Sequence, residues 1–544
     1  MALTINYSNP GLPAEYVLDS DPTVFGGWGG TNAELASILY RTDIPSIYRK
    51  TGPTNTDWTF QAASISVIPR TVNEIAVGAI PVDFKYPVGT VDRYGVNTTP
   101  GTTDMTVAAN TAISVMSQAG GGVVSWLAAK YLVGSSNVRI NYVQSGILHS
   151  GASRESTQIV NGSANFPAIT CGDGITAIFG GGVTSMSFSQ LPSVTAVNGN
   201  CATLYSRVGQ FLIRDVFVSN NTSAPYRGVV FTGGALEGQG CSQFILDNLQ
   251  VQGCLNDGIT FVNCVDPYII NCRSDANTSA GWVWNGTQGA LAVNCSTFGN
   301  SGVAWNFIST NPGTNPNKNN AFVNCVADTS GSYNWQIADS KDSRWVGCWA
   351  GSQKDTAVNT FASGFFVVTS ACTRLSFDSC IAITNNAHGF VVFDDGTAPT
   401  NCTFSNCHYV GNGRSTGGGY GFICNGNANA IRLDSGSFSG NATGPFLNQS
   451  VLTDIIVTGS PVGFVSVNQG VGTVTTGTDA VIIAHGLGVT PNLANIQVTD
   501  ASERAASGID SVWISTPTAS TFTVKTNVAT TNFSFVWRVA MNGN

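Results

Sequence analysis

Ile269-Ile270-Asn271-Cys272, Ala292-Val293-Asn294-Cys295 and Phe322-Val323-Asn324-Cys325 repeat one pattern, apolar-x-Asn-Cys. The series continues as Trp345-Val346-Gly347-Cys348, Phe377-Asp378-Ser379-Cys380 and Phe404-Ser405-Asn406-Cys407. Looser copies begin at Ile213 and Leu246 before it, and at Leu433 and Leu452 after it. Anchored on the fourth residue, successive copies lie 33, 23, 23, 30, 23, 32, 27, 29 and 19 residues apart. A constant short segment with spacers of free length points to stacked coils.

A second motif falls once per step: Gly, then apolar-x-apolar. Examples are Gly258-Ile259-Thr260-Phe261, Gly281-Trp282-Val283-Trp284, Gly302-Val303-Ala304-Trp305, Gly364-Phe365-Phe366-Val367, Gly389-Phe390-Val391-Val392 and Gly421-Phe422-Ile423-Cys424. Alternation over a few residues after a glycine is a strand signal. A coil this short cannot bury its apolar face alone, so coils must stack, with like positions one strand spacing, about 4.8 Å, apart. The Asn, Ser, Asp or Gly before each Cys suits a bend in left-handed backbone. The expected fold is all-β, a parallel β-helix with one continuous core.

Charged residues make up 10% of the 544, against about 25% in a typical soluble protein, and net charge is −8. That balance excludes phosphate-driven nucleic-acid binding. A hydrophobic content of 42% excludes disorder. No run reaches the roughly 20 apolar residues of a membrane span, so no membrane insertion is expected. Met1 to Pro10 shows no basic and apolar export pattern. The 14 cysteines are read as buried free thiols, since a vertical column does not meet disulfide torsions, and this fits folding in a reducing cytosol. No Cys/His cluster has zinc spacing and no oxygen-ligand loop suggests calcium, so no metal and no cofactor are expected.

The repeated coils resemble the right-handed β-helices of the pectate-lyase superfamily. The segment Asp92-Arg93-Tyr94-Gly95, Thr103-Asp104, a helix over Val107 to Ala119, and Gly120-Gly121-Gly122 resembles the start of such domains in phage tailspikes. Arg41-Thr42-Asp43, Ile47-Tyr48-Arg49-Lys50-Thr51-Gly52-Pro53 and Asp57-Trp58 resemble a small segment common in phage tail proteins. The strands expected after residue 466 are similar to C-terminal β-domains of phage fibres, where such domains assist trimerisation or touch glycans. The division that follows is a virion-attachment module over 1–60, with a short helix at Ala33 to Tyr40, and a linker over 61–90. The β-helix start with its capping helix covers 91–200, the body 201–465 and a C-terminal β-domain 466–544.

The resemblance implies a homotrimeric tailspike of the virion tail, assembled in the host cytoplasm. Its N-terminus would contact phage tail, baseplate or adaptor proteins, and its β-helix a bacterial surface polysaccharide. Depolymerisation of capsule or O-antigen by paired carboxylates is the implied activity. A lyase, a receptor-binding spike without enzymatic activity and a secreted pectinase-type enzyme are the alternatives. Asp339 and Asp394 fall at one place in their coils with one coil between, near the spacing of an inverting pair; the other reading is that they only cap turns. Asp342, Asp395, Lys341 and Arg344 lie beside them. Asp247, Asp378 and Asp434 share another outward column, and Glu237 and Asp257 lie in loops.

Tryptophans 282, 284, 305 and 335 are expected in core columns. Trp349 follows Cys348 and should point outward, in the column of Arg273, Ser296 and His408, as a sugar platform or as a shielded subunit contact. Val230, Thr260, Val283, Ala304, Gln336, Phe366, Val391, Ile423 and Phe446 face away from the core yet are mostly apolar, which predicts cover by a neighbouring subunit. His485, in a His-Gly-Leu-Gly turn, is expected to make structural hydrogen bonds.

Overall fold

Each residue before the repeated Cys turns the chain through a left-handed corner. Asn271, Asn294, Asn324, Gly347, Ser379, Asn406 and Ser435 all have φ between 52° and 60°. Only residues that tolerate this region suit it, so the sequence choice follows from the backbone. Each corner amide also bonds upward: Asn294 N donates to Val323 O at 3.0 Å and Asn324 N to Val346 O at 2.9 Å.

A computed structural model describes residues 68–540 except 136–139, 198–199, 220–224, 234–239, 355–361, 369–371, 395–398, 415–417, 427, 451–454, 459–461, 464–466, 488–489, 502–503, 505–507, 516, 519 and 530–531; before residue 68 it describes the backbone of five strands. Asp395 and Glu237 lie outside the described residues.

A representative coil runs Ile259–Val262, Tyr268–Ile270, Arg273–Asp275 and on to Trp282–Asn285 of the next. The first of these strands belongs to a twelve-stranded parallel sheet. The other two belong to a second sheet that the left-handed corner folds into two faces. These faces are called the second and third sheets below. All pairings in this body are parallel. The architecture is a right-handed parallel β-helix.

The core is a set of vertical columns. Trp282 stacks on Trp305 with centroids 4.8 Å apart and planes 2° apart, and Trp305 stacks on Trp335 at 4.7 Å and 3°. Trp345, Phe377 and Phe404 form a second stack at 4.7 and 4.8 Å. These distances are the strand spacing itself. All 14 cysteines are free and buried. Asparagines form a third ladder at the turn after the third sheet: Asn277 Nδ2 donates to Asn300 Oδ1 at 2.9 Å, and Asn385 Nδ2 to Asn412 Oδ1 at 2.9 Å. Each satisfies amide groups that burial would otherwise leave unpaired.

The structure corrects several expectations. Ile38–Arg41 is a strand, in a five-stranded sheet with Thr4–Asn6, Glu15–Leu18, Ser46–Lys50 and Trp58–Phe60, so the helix at Ala33 to Tyr40 does not form over Ile38 to Tyr40. Trp305 pairs with Trp282, so Asn306 and not Ala304 is the outward residue of its coil. Phe446 pairs with Phe422 and points inward, leaving Leu447 outward. Leu433 pairs with Val457, so the last copy of the repeat begins there and not at Leu452. At Phe366, Val391 and Ile423 the outward face of the first sheet is buried within the chain itself, while Asn306 and Gln336 on the same face are half-buried. Phe366, Val391 and Ile423 are 7%, 0% and 3% exposed and cluster with Ala338 and Val368, and Tyr333 stacks on Phe366 at 4.4 Å.

The helix Thr106–Gln118 covers the open end of the core with Ala108, Ala109, Ala112, Ile113 and Val115. Asp104 Oδ1 receives the Thr106 amide at 2.9 Å at its start, and Gly120 (φ 87°) follows its end. Upstream, the helix Val72–Ala76 opens with a capping box between Thr71 and Glu74. Glu74 then reaches Arg93 Nε at 2.6 Å and accepts from the Tyr94 hydroxyl at 2.9 Å, with the Arg93 and Glu74 side chains both 0% exposed. After residue 466, two three-stranded antiparallel sheets face each other across Phe522, Val524, Phe533, Phe535 and Trp537. His485 is buried there, its Nε2 3.0 Å from Thr518 O and its Nδ1 accepting the Leu487 amide.

Candidate functional site

The third sheet presents two outward columns. The first runs Gln250, Arg273, Ser296, Val326, Trp349, Ile381 and His408, residues that pair directly in register. Arg273, Trp349 and His408 therefore do share one face. The second runs Gln252, Asp275, Phe298, Asp328 and Gly351. Trp349 lies against Gly351: a Cβ there would sit 2.8 Å from the indole Cζ2. The indole therefore lies flat on the outer surface, one coil beyond Asp328, half-buried. Successive coils thus offer acid, aromatic, acid, aromatic.

Asp275 is 5% exposed. It pairs with Arg273, and its Oδ1 accepts the Phe298 amide at 2.9 Å. Burial pushes its carboxyl above the usual range, although Arg273 and that amide favour the charged form. The Arg273 guanidinium also lies 4.8 Å from the Phe298 ring centroid. Burial likewise pushes Asp328 up, against hydrogen bonds from Thr329. Its Oδ1 is buried with no hydrogen-bond partner. The two aspartates sit two coils apart, about 9.6 Å at the strand spacing. Asp328 is half-buried and Asp275 is buried beside Arg273, with the Phe298 ring between them. Two desolvated carboxylates on one column can act as proton donor and acceptor for a bond laid over that column.

The other candidate acids are placed differently. Asp339 sits in a left-handed turn (φ 51°), and its Oδ2 accepts the Ser309 amide at 3.1 Å. Asp394 follows the strand Phe390–Phe393, its Cβ packed close over Gly426. The pairing of Trp335 with Phe365 and Phe365 with Phe390 confirms one intervening coil. Asp342 is ion-paired with Arg374, whose Nη2 is 2.7 Å from its Oδ2; that contact holds the carboxyl below the usual range. Lys341 lies on a short strand opposite Lys318. Arg344 is exposed on the second sheet, opposite Ala321 and Ser376. His408 is exposed, with Nδ1 2.7 Å from Ser437 Oγ. Asp378 and Asp434 share an outward column of the second sheet, Asp247 pairs with Arg214 at 2.9 Å, and Asp257 faces Arg227 at 3.6 Å. Among the described residues no group of three or more His, Cys, Asp or Glu is placed to hold a metal.

Sequence reasoning used the position one after each Cys and missed the position three after it. That second outward position holds Asp275, Phe298 and Asp328.

The fold and site define a class: a parallel β-helix with an acid-and-aromatic strip along one outer sheet. No family model matches the sequence, and no curated protein matches it. Solved structures do. The A-module of the mannuronan C-5 epimerase AlgE6 of Azotobacter vinelandii is 14% identical over 68% of this chain and 99% of its own, with a TM-score of 0.50. The tailspike protein gp49 of Pseudomonas phage LKA1 is 12% identical over 80% of this chain and 92% of its own, also at 0.50. At these identities the likeness is one of fold.

Proposed function

We propose that this protein is a phage tailspike that binds and hydrolyses a bacterial surface polysaccharide. The observation that carries the reading is the pair Asp275 and Asp328, both desolvated, on one outward column with Phe298 between. Their backbone separation of about 9.6 Å lies just beyond the roughly 6.5–9.5 Å between carboxyl groups of inverting glycosidases. Asp328, whose carboxyl burial pushes above the usual range, protonates the leaving glycosidic oxygen. Asp275, held toward its ionised form by Arg273 and the Phe298 amide, takes the proton of the attacking water. Phe298 and Trp349 give apolar faces for sugar rings. A low-charge outer surface suits hydroxyl-rich ligands.

In this reading the N-terminal sheet attaches to the tail, and three copies assemble along their β-helices. Ile270, Val293, Val323 and Val346 form a half-exposed apolar column on the second sheet that suits a neighbouring copy. Light scattering of natively purified protein at a single 56.6 kDa copy would contradict that assembly.

The test of activity uses full-length protein spotted on lawns of candidate hosts. Translucent halos and new reducing ends are expected. Asp275→Asn and Asp328→Asn should each lower the rate by about 100-fold or more, the usual loss of a general acid or base. Should Asp339→Asn and Asp394→Asn abolish activity while the first two leave it intact, catalysis lies at that other corner. Adsorption without product would leave a receptor-binding spike that does no chemistry.

A further inference from the structure

The outward columns of the third sheet do not stop at Asp275. They continue toward the N-terminal end through Gln250, Phe217, Ser187, Gln158 and Lys130, each paired in register with the next. There the surface sinks into a cavity of about 450 Å³. Lys130, Arg154, Gln158, Ser187, Phe217 and Gln250 line it, with Glu155 and Ser219. A second hollow of about 300 Å³ shares Lys130 and Gln158 with it and extends over Ser189 and Gln190. Phe217 lies two coils before Asp275, about 10 Å along the axis.

The chemistry of this cavity is distinct from that of the carboxylate strip. The Arg154 guanidinium lies 5.9 Å from the Phe217 ring centroid, repeating the Arg273 and Phe298 arrangement three coils earlier. Lys130 adds a second cation in the same wall. The one lining acid, Glu155, pairs with Arg154 at 3.4 Å from an exposed position, which leaves the lining with one positive charge in excess. A cavity with two cations, in a chain of net charge −8, is a local reversal of sign. Around it, Gln158, Gln250 and Ser187 offer amide and hydroxyl groups, and the ring gives an apolar floor. Cations, hydroxyl-matching groups and an aromatic face together fit an anionic sugar ring.

We propose that this cavity is a second glycan subsite that takes a carboxylate-bearing sugar unit of the same polymer whose neighbouring units lie over Asp275 and Asp328. The proposal rests on the polysaccharide reading given above and adds the charge class of the ligand and the direction in which it lies. The polymer runs along the solenoid axis, so Phe217, Phe298 and Trp349 are successive platforms for one strand. Lys130 and Arg154 face the carboxylate, with the Phe217 ring beneath.

The test uses full-length protein carrying Asp328→Asn, so that bound polymer stays intact. The probe is surface polysaccharide purified from a strain to whose cells the protein adsorbs. It is used in native form and after carbodiimide and borohydride treatment, which turns its carboxylates into neutral alcohols. Lys130→Gln and Phe217→Ala, each with an unchanged melting temperature, should weaken binding of the native polymer by about ten-fold or more, roughly the loss of one charge-assisted or stacking contact. The neutralised polymer should bind the parent more weakly, and Lys130→Gln should make no further difference to it. Native binding should also fall as salt rises. Equal binding by both variants, or equal binding of native and neutralised polymer, would overturn the subsite and leave the polysaccharide reading standing. A parent that binds no surface polysaccharide at all would remove both.

Discussion

Glu74→Ala is expected to destabilise the docking of residues 68–94 on the β-helix by about 3–5 kcal/mol, the usual effect of removing one partner of a buried ion pair. The side chain caps its own helix through Thr71 and then bridges to Arg93 and Tyr94, all out of water. Removing it leaves the Arg93 guanidinium buried with only the Tyr86 and Pro69 carbonyls as acceptors. Limited proteolysis should then cut near residues 68–90 at protease levels that leave the parent whole. Equal resistance would show that the segment is held by packing alone. The pair also carries a pH dependence. Burial pushes the Glu74 carboxyl up, but Arg93, the Thr71 amide and Tyr94 more than offset this and hold it below the ordinary value of 4.5. A lowered folded value means the contribution is fully present above pH 4.5 and is lost as pH falls through the folded value. The same protease assay should therefore show detachment in acid at a pH below 4.5, and Glu74→Gln should flatten that dependence.

Trp305→Ala is expected to cost about 3–5 kcal/mol, the range for large aromatic to alanine changes in cores. Its indole is fully buried, stacked on Trp282 below and Trp335 above, and its Nε1 donates to Val326 O at 3.2 Å. Removal opens a gap in the middle of a column whose neighbours are fixed by the strand ladder and cannot close in. In a solenoid each coil is stabilised chiefly by the coils beside it, so the loss falls on two interfaces. Denaturant unfolding should show a lower midpoint. Trp305→Phe should recover most of it, because Phe365 on Phe390 stacks in the same column at 4.2 Å.

The corners were legible because their physics leaves few residue choices. Left-handed backbone selects Asn, Gly, Ser or Asp, and the following Cys fits a narrow inward slot, so Asn271-Cys272 and its copies place the second and third sheets in register. The first sheet was read less well. The glycines that lead into it, such as Gly258, Gly281 and Gly302, do not hold left-handed backbone, and Gly302 lies three residues before its strand at Trp305. Ile38 to Tyr40 reads equally as helix or strand over so short an apolar run. On the site, Trp349, Arg273 and His408 were placed correctly because alternation from a fixed Cys gives their direction. Asp275 and Asp328 follow from the same alternation carried two residues further. Lys130 and Phe217 precede the first Cys of the motif, so only backbone pairing shows that they continue the same face.

Inward residues here hold the coil together, and apart from Asp275, which accepts the Phe298 amide of the next coil, the outward residues of the third sheet carry little of that duty. On the proposed reading, a lineage carrying this body exchanges one ligand for another by substitutions along a single surface strip, while selection for folding acts mainly on the inward positions. Adaptation and architecture are written in alternate letters of the same strand.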